Sequence, residues 1–582
     1  MIATLSRIAL IVVLSVSAGA FADADTRVLL DFEDPAEGNW SMLRRPQSEL
    51  DEPAAKVEVA SEGATSGKRA LKVTFDGGRL PAITTDRLPA ADWMQYAVFR
   101  ADVTVDRPCV VGFRVLQQRA TRINGWAKQI TRWQHAVALK PGKTTVAALL
   151  HPNALSPLRA DLGKVVALDI FACNPAKGQV VLVDNIRLDT AVPPELEPKA
   201  EPKTDFGIYP EPPAPKLPKA GETFTDPTFG TTILRVTDEA DGDSQNAYSY
   251  WPSFNRDSTL FHIQTRKGGP TLYHFDPKAF KVTGKEPLFV RDPAFPGGMN
   301  WEGSIWSATD PKALFGTSGT SIASYSVETK KYTVIHDFSK ELPDQRPVQM
   351  SRSLDDNVFG FHIKKLGKDE VTGFMAWRRS PEKVLLHVER TDLDEVQVDK
   401  TGRYLVVKTD QQGKGLLNVL VYDLETGKHD ELTDDGPDFS PGHSDNGHGF
   451  ILGADNWRNS LTVRTCAEPH RHYEALDTAG GHLSMLCDDE KWVLVSNYFG
   501  RYPAKDAPWP TFAQEIMLLA TDGSMRVRRL AHVQTRYKGY WDCPRADISR
   551  DGRFVVFTSN WGDTGLRGVF ILRVPDELVP KK

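Results

Sequence analysis

The 582-residue chain has few cysteines and no long apolar run beyond its first residues. Five cysteines are too few for a disulfide scaffold in a chain of this size, and the odd number leaves at least one unpaired within the chain. Cys109 and Cys173 lie in the same N-terminal region and could pair. Cys466, Cys487 and Cys543 stand in or beside apolar runs, which is typical of buried thiols.

An excess of charge of one sign is also missing. The chain has 71 Lys and Arg against 76 Asp and Glu, for a formal net charge of −5. Nucleic-acid-binding surfaces give a strong basic bias, so we expect no nucleic-acid partner. The longest apolar run, Ile8 to Ala20, is too short and too soon followed by charge for a membrane span, so we expect none.

The first 22 residues predict export. Arg7 precedes the apolar run, and Ala20-Phe21-Ala22 places small residues on either side of a bulky one before Asp23. This order of charge, apolar run and small residues is that of a secretory signal peptide, with cleavage after Ala22. We therefore expect residues 1–22 to be removed and the mature protein to be periplasmic or extracellular.

Composition divides the remaining chain into two domains. Residues 191–222 are dense in Pro, Glu and Lys, a composition that favours extended polyproline geometry and predicts a linker. Residues 23–190 read as short alternating or apolar strands broken by Gly, Pro and Asp, without a convincing helix. This pattern predicts a jelly-roll-like β-sandwich. Residues 223–582 form the second domain.

The second domain repeats. Seven times between residues 245 and 560 a polar start leads into a strand and a tight turn, as in "WPSFNRDSTLFHI" and "RADISRDGRFVVF". A repeat of this size with about four strands is typical of a β-propeller blade. We therefore predict an all-β protein, a β-sandwich followed by a seven-bladed β-propeller. The early strand over residues 231–238 is expected to complete the last blade and close the ring.

Polar and aromatic residues begin the predicted inner strands. When the repeats are aligned on their turns, corresponding positions hold Trp251, Gln349, Glu395, His443, His482 and Arg545, and the irregular second blade begins with Trp301 and Glu302. In a propeller these positions surround the mouth of the central channel, and convergence of side chains from separate blades is what a binding site requires. The alternative is that these positions are polar only because they are solvated.

The ends of the first domain resemble a known family. The opening "DFED" and the closing "VDNIRL" are similar to the first and last strands of jelly-roll carbohydrate-binding modules. That family often holds a structural calcium between such acidic ends. The resemblance implies Asp31, Glu33 and Asp184 as calcium ligands, and ordinary solvated carboxylates are the alternative.

The propeller repeats carry a second resemblance. Segments such as "ADISRDGRFVVFTS" look like the WD40-like blades of exported TolB-type propellers. With His443, His482 and the segment 532–552, the region 225–578 is most similar to the propellers of oligogalacturonate lyases and, more distantly, ulvan lyases. In the first of these families the last blade carries a glutamine followed by metal-binding histidines. This sequence keeps Gln534 but has Cys543 and Arg545 about where those histidines would stand.

The resemblance implies β-elimination across a uronic acid in a polysaccharide or oligosaccharide. A cation neutralises the carboxylate, a base removes the C5 proton and an acid protonates the leaving oxygen. Arg545 suits the first role because its fork binds a carboxylate bidentately, and His482 or His443 suits the second because imidazole titrates near neutral pH. The candidate acids are Tyr248, Tyr250, Tyr498 and Tyr540. The candidate sugar-binding residues are Trp251, Trp301, Trp541, Glu302 and Gln349.

Two further interpretations remain open from the sequence. A metal variant of the site uses Glu395, His443 and His482, with Gln349, to bind calcium or manganese, which accept oxygen-rich ligand sets. A rival from a different class is a non-catalytic propeller that binds a glycan or a protein, because propellers are common interaction platforms and fold does not decide function. The sequence has no G-x-S-x-G turn and no α/β catalytic domain after the repeats, so it does not support the serine hydrolases that carry an N-terminal propeller.

Overall fold

A computed structural model describes residues 25–42, 52–117, 132–150, 161–196, 203–293, 295, 298–411, 416–433, 440–455, 460–476, 478, 481–499 and 509–580. The predicted signal peptide, residues 1–22, lies outside these residues. Within them, helix is limited to two short 3-10 turns, Pro35–Gly38 and Tyr540–Asp542. No helix in this part of the chain is long and apolar enough to cross a membrane.

The N-terminal domain is a sandwich of two antiparallel sheets. Its strands in the described residues are β1 (Thr26–Leu30), β2 (Ser41–Met42), β3 (Lys56–Ala60), β4 (Ala70–Asp76), β5 (Ala82–Thr85), β6 (Val98–Val105), β7 (Cys109–Gln117), β8 (Arg132–Leu139), β9 (Gly142–Leu149), β10 (Val165–Cys173) and β11 (Lys177–Asp189). One sheet has the order β3-β4-β11-β6-β9, with β1 also paired to β11, and the other has the order β2-β5-β10-β7-β8. Inward side chains such as Phe99, Phe113 and Trp133 pack between them.

The first four blades of the C-terminal domain follow one another along the chain. Blade 1 is β14 (Ser244–Gln245), β15 (Leu260–Thr265), β16 (Gly269–Asp276) and β17 (Lys281–Pro287); blade 2 is β18 (Ile305–Trp306), β19 (Ala313–Ser318), β20 (Ser321–Ser326) and β21 (Lys331–Asp337); blade 3 is β22 (Gln345–Arg352), β23 (Val358–Lys365), β24 (Val371–Arg378) and β25 (Lys383–Glu389); blade 4 is β26 (Leu393–Val398), β27 (Tyr404–Gln411), β28 (Leu416–Asp423) and β29 (His429–Leu432). Each is a four-stranded antiparallel meander, numbered from the inner strand outward.

The last three blades complete the ring. Blade 5 is β30 (Ser444–Asn446), β31 (Phe450–Asp455), β32 (Ser460–Thr465) and β33 (Glu468–Leu476); blade 6 is β34 (His482–Ser484), β35 (Trp492–Ser496), β36 (Glu515–Ala520) and β37 (Val527–His532); blade 7 is β38 (Asp547–Ile548), β39 (Phe554–Ser559) and β40 (Gly568–Arg573), joined by β13 (Thr232–Arg235) and β12 (Thr223–Thr225). The described residues thus form seven propeller sheets, as predicted. The early strand closes the ring as expected, because β13 pairs with β40.

Neighbouring blades pack through large apolar side chains. Phe254 and Phe275 of blade 1 contact Phe554 of blade 7, with ring centroids 5.8 and 5.1 Å apart. Outer strands such as β17 alternate between exposed and half-buried residues, whereas every residue of β35, β36 and β39 is buried. The outer strands therefore have one face toward solvent, whereas the middle strands are covered on both faces by neighbouring blades.

The proline-rich segment is described over residues 191–196 and 203–222, and residues 203–222 are bonded to the propeller. The side chain of Arg529 donates to the carbonyl of Gly207 (2.6 Å), the backbone N–H of Gln534 donates to Glu211 (2.8 Å), and the indole of Trp561 donates to the carbonyl of Pro215 (2.8 Å). This segment was predicted as a linker. From residue 203 onward, its extended backbone runs along blades 6 and 7.

Candidate functional site

A cavity of about 410 Å³ opens where the inner strands of the propeller begin. Nine residues predicted for the mouth or beside it line this cavity: Tyr248, Tyr250, Trp251, Glu302, Gln349, Glu395, His443, Tyr540 and Trp541. His362, Asp394 and Lys408 also line it. Side chains from separate blades therefore converge on one cavity, as the alignment of the repeats predicted.

The aromatic wall comes from an excursion of the first inner strand. The chain leaves β14 at Gln245 and resumes its pairing where His262 donates its backbone N–H to the carbonyl of Ser253 (3.1 Å). The intervening residues carry Tyr248, Tyr250 and Trp251 into the cavity. The excursion is anchored from blade 7, because the Asp547 carboxylate accepts hydrogen bonds from the Ser253 hydroxyl (2.6 Å) and backbone N–H (3.1 Å).

Two side chains near the mouth stand on left-handed backbone. Gln349 has φ of 48° and Arg545 has φ of 41°, a conformation that costs energy for residues with a Cβ. At Gln349 the ladder between β22 and β23 shifts register, and the amide donates to Glu302 (2.9 Å). Gly303 packs here because a Cβ at that position would lie 2.7 Å from the Gln349 Cα. The irregular backbone at these two positions changes the direction in which each side chain leaves the chain.

Two histidines stack beside the cavity. The rings of His443 and His482 lie 4.2 Å apart between centroids, with 22° between their planes. His482 is fully buried, and neither ring nitrogen has a hydrogen-bond partner in the described part of the chain. Burial holds the pKa of His482 well below its usual range and lowers the pKa of His443 to about 4, and Lys408 adds to the second effect. Both rings are therefore neutral at neutral pH.

The tautomer of His443 is set by a hydrogen bond in which one ring N–H donates to the backbone of Gly481. In a neutral imidazole one nitrogen donates and the other accepts, so the second nitrogen of His443 carries no proton. His443 is half-buried and lines the cavity, whereas His482 does not. Of the two predicted bases, His443 is thus the one placed to accept a proton from a molecule in the cavity.

A pair of phenols faces the histidines. The hydroxyls of Tyr248 and Tyr540 lie 2.7 Å apart, and the Tyr248 ring lies 5.2 Å from the His482 ring. Burial raises the pKa of Tyr248, Tyr250 and Tyr540, so all three are protonated at neutral pH and can donate. Tyr498 stacks on His482 and hydrogen-bonds Cys543, and it is not part of the cavity wall.

The cavity floor holds a buried ion pair. The ammonium of Lys408 lies 2.7 Å from the Glu395 carboxylate, which also accepts a hydrogen bond from Gln397. Burial raises the pKa of Glu395 to about 7 while Lys408 opposes this shift. The sequence alignment of inner strands missed Lys408 because it lies on the second strand of blade 4. The available signal was a lysine inside the apolar run "YLVVKTD".

Arg545 lies behind the cavity rather than on its wall. Its side chain is 1% exposed, and its guanidinium packs 4.9 Å from the centroid of the Trp541 ring. One terminal nitrogen donates to Gln245 (3.4 Å), and the other, Nη1, has no hydrogen-bond partner among the described residues. Trp541 itself is 51% exposed.

The predicted metal ligands are bonded to other protein groups in the structure, and metal binding by them stays a prediction. Within the described residues, no group of three or more His, Cys, Asp and Glu side chains is arranged to hold a metal ion. At the mouth, Lys408 occupies the cation position beside Glu395. In the sandwich, Glu33 accepts the backbone N–H groups of Lys68 and Arg69, and Asp184 accepts those of Thr65 and Ser66.

Asp31, the third predicted calcium ligand, accepts the backbone N–H of Glu33. These three carboxylates accept hydrogen bonds that tie loops together, and calcium binding by them stays a prediction. Trp301 also departs from its prediction, because its indole donates to His262 (3.1 Å) outside the cavity wall. No disulfide joins Cys109 and Cys173, and both are buried thiols.

The strands and the cavity define the class of the protein: an all-β chain with an N-terminal β-sandwich and a seven-bladed β-propeller with a cavity at its mouth. No protein-family model and no curated protein matches the chain.

Solved structures with a similar fold match either half of this chain or more, or about a quarter of it. An oligogalacturonate lyase from Vibrio parahaemolyticus is 13% identical, with 61% of this chain and 97% of that chain covered and a TM-score of 0.46. TolB from Acinetobacter baumannii is 14% identical over 51% and 65% of the chains, with a TM-score of 0.28. A family 11 carbohydrate-binding module from Clostridium thermocellum is 17% identical over 28% and 94%, with a TM-score of 0.22.

Proposed function

We propose that the protein is an exported polysaccharide lyase, which cleaves a uronic-acid-containing glycan by β-elimination at the mouth of the propeller. The observation that carries the proposal is the composition of one cavity wall: a neutral imidazole on His443, the paired hydroxyls of Tyr248 and Tyr540, and the cation of Lys408. A base, an acid and a cation are the three groups that this elimination requires.

The cation has to stabilise charge that develops on the substrate carboxylate when the C5 proton leaves. Lys408 is the cationic side chain among those that line the cavity, and it is buried, where electrostatic interactions are stronger than in water. Arg545 adds positive charge from behind Trp541. The sequence prediction assigned the carboxylate-binding role to Arg545, whereas this proposal assigns it mainly to Lys408.

His443 is assigned as the base and the tyrosine pair as the acid. The unprotonated nitrogen of His443 takes the C5 proton, the electrons of that C–H bond form the C4–C5 double bond, and the bond from C4 to the glycosidic oxygen breaks. Tyr540, relayed by Tyr248 at 2.7 Å, gives a proton to the leaving oxygen. One proton is taken and one is given, so the site is restored once the His443 proton returns to the phenolate.

Binding is assigned to the rest of the wall. Trp251 and Trp541 present aromatic faces on which sugar rings stack, and Glu302 with Gln349 offers hydrogen bonds to hydroxyl groups. Calcium or manganese has no assigned step, because the residues around Glu395 do not fit a metal ion as they stand. Glycan binding by the sandwich stays a prediction.

The test is the ultraviolet absorbance of the unsaturated uronate product. The mature protein is incubated with pectic, ulvan, alginate and glycosaminoglycan substrates, with and without added calcium or manganese. We expect absorbance to rise on one class of polymer and His443→Gln to lower the rate by at least about a hundredfold. No rise on any substrate, metals included, would refute the lyase.

A non-catalytic glycan-binding propeller is the second candidate. It is favoured by the exposed aromatic residues of one loop, because Tyr537, Tyr540 and Trp541 are 37, 40 and 51% exposed. Such a protein binds an oligosaccharide in calorimetry without forming product, and its affinity is unchanged by His443→Gln. The lyase instead requires turnover that this substitution abolishes while the fold survives.

A further inference from the structure

A second cavity lies on the outer side of Trp541. This outer groove has a volume of about 330 Å³, and its wall includes Asp243, Lys538, Trp541, Asp563, Leu566 and Arg567. Trp541 lines both the outer groove and the mouth cavity. The indole is therefore a shared wall between two adjoining spaces, and a chain molecule that leaves the mouth over Trp541 arrives in the outer groove.

The loop that carries Trp541 is held rigidly. The Asp542 carboxylate accepts the backbone N–H groups of Lys538 (3.0 Å) and Gly539 (3.1 Å), and the Asp542 carbonyl accepts the hydroxyl of Thr535 (2.8 Å). Asn560 donates to the carbonyl of Arg536 (2.6 Å) from the neighbouring strand end. An indole that is 51% exposed on a fixed loop is a preorganised stacking platform, because little entropy is lost when a ligand binds to it.

The cations of the outer groove already have partners. Lys538 is paired with Asp563 (2.7 Å) and Arg567 with Asp243 (3.0 Å). Asp542 adds a third carboxylate against these two cations. A sugar carboxylate in this groove meets no unpaired cation among the described residues, whereas sugar hydroxyls meet carboxylate oxygens and the side chain of Asn560.

We infer that the outer groove is a second sugar-binding subsite and that it takes an uncharged sugar next to the uronate held at the mouth. The substrate class is then a glycan in which uronate alternates with an uncharged sugar, rather than a homopolymer of uronate. This inference rests on the proposed function for the identity of the unit at the mouth. The subsite itself rests on the shared Trp541 wall and the paired charges.

Two variants probe the groove without touching the mouth. Leu566 is 40% exposed in the groove wall, so Leu566→Trp fills the space, and thermal unfolding checks that the variant folds. Asp563→Asn removes the partner of Lys538 and leaves a free cation. The matched control is Asp369→Asn, which unpairs Lys364 in an exposed ion pair on blade 3.

The assay compares hyaluronan oligosaccharides, which alternate glucuronate with an uncharged amino sugar, with oligogalacturonates of equal length. We expect the wild type to have the higher kcat/KM on the alternating oligomer. Leu566→Trp should raise KM for it by about tenfold, the equivalent of one lost contact of moderate strength. Asp563→Asn should raise kcat/KM on the homopolymer by about fivefold, the effect of a surface charge pair, and Asp369→Asn should change neither.

The outcomes separate this inference from the proposed function. If the wild type prefers the homopolymer, or if both groove variants behave like Asp369→Asn, the subsite is wrong although the lyase stands. If neither oligomer is eliminated, the lyase is judged on the full polymer panel, and calorimetry with the same hyaluronan oligosaccharides tests the subsite separately: binding that Leu566→Trp abolishes supports the subsite, and binding that is unaffected by the variant overturns it.

Discussion

His443 sets the response of the proposed active site to acid. Burial lowers the pKa of its imidazole to about 4 from an ordinary value of 6.5, so the ring stays unprotonated across the mildly acidic range. A base is lost as pH falls through its pKa, so we expect the acid limb of kcat/KM to lie near pH 4. A pH profile on the polymer found to be a substrate measures this.

The control for this profile is Glu395, whose pKa burial raises to about 7. If the acid limb instead lies near pH 7 and disappears in Glu395→Gln, the base is this carboxylate and not the imidazole. A limb near 6.5 would show that His443 is far less buried in solution than its stacking on His482 indicates.

Lys408 is predicted to stabilise the fold as well as the site. It is 3% exposed and paired with Glu395, so Lys408→Met leaves a buried carboxylate without its cation. We expect a loss of about 2–4 kcal/mol in the free energy of unfolding at pH 8. At pH 5, below the raised pKa of Glu395, that carboxyl is protonated and the loss should shrink. Urea unfolding at both values measures it, and an equal loss at both would contradict the ion pair.

The sequence predicted the mouth residues that follow from repeat alignment. Glu395 and His443 lie at equivalent starts of inner strands, so aligning the turns was enough to bring them together. Lys408 could not be found this way, because it reaches the cavity from a second strand. Trp301 was predicted for the mouth but is not among the residues that line the cavity; its indole is bonded to His262, a contact that depends on packing between blades 1 and 2.

Among the larger elements, the excursion between Gln245 and Ser253 shapes the site most. The first inner strand is interrupted by seven residues, and the aligned repeats show no such interruption. The path of these seven residues therefore cannot be predicted by aligning the repeats. Its return at Ser253 depends on Asp547 of the last blade, some three hundred residues away in the chain. The ring closure by β13, in contrast, was predicted, because a lone apolar strand before the first repeat has few other places to pair.

Asp547 makes the anchoring of this excursion depend on pH. Burial raises the pKa of its carboxyl to about 7, although hydrogen bonds from Ser253 and Asn246 oppose the shift. An acid with a raised folded pKa contributes stability that is complete below its ordinary pKa of 3.8 and is lost as pH rises through 7. The contribution changes by at most about 1.4 kcal/mol per pH unit.

We therefore expect Asp547→Asn to flatten the decline in unfolding free energy between pH 4 and pH 7 relative to the wild type. Glu395 shifts in the same direction and His443 in the opposite one, so the difference between the two proteins, rather than either curve, reports on Asp547. Chemical unfolding at several pH values supplies the curves. Parallel curves would mean that the carboxyl titrates normally and that the excursion is anchored in another way.

For the whole molecule, the contact between the two domains is the feature that composition did not reveal. The proline-rich segment marked where the domains separate, but the sheet β2-β5-β10-β7-β8 packs its outer face on the propeller. Phe171 and Ala136 of that sheet share one apolar cluster with Tyr473 and Met525 of blades 5 and 6. The sandwich therefore supports the blades that carry His443 and His482. The face of the sandwich that packs on these blades is not available to bind a polymer.

A buried ion pair at this contact allows the support of the blades by the sandwich to be tested. Arg114 of the sandwich donates to Glu474 of blade 5 (3.1 Å) and to Gln134 (2.8 Å), and both ionic side chains are nearly inaccessible to solvent. Glu474→Ala leaves the guanidinium buried with less compensation, and breaking a buried pair in this way costs about 3 kcal/mol. Because the pair joins two domains, we expect the wild type to unfold in a single calorimetric transition and Glu474→Ala to unfold in two, with the sandwich unfolding first. Glu58→Gln, which breaks the exposed pair with Lys56, should leave one transition.

Two results would contradict this coupling of the domains. If the wild type already unfolds in two steps, or if Glu474→Ala lowers both transitions equally, the contact does not couple the domains and the sandwich does not support the blades.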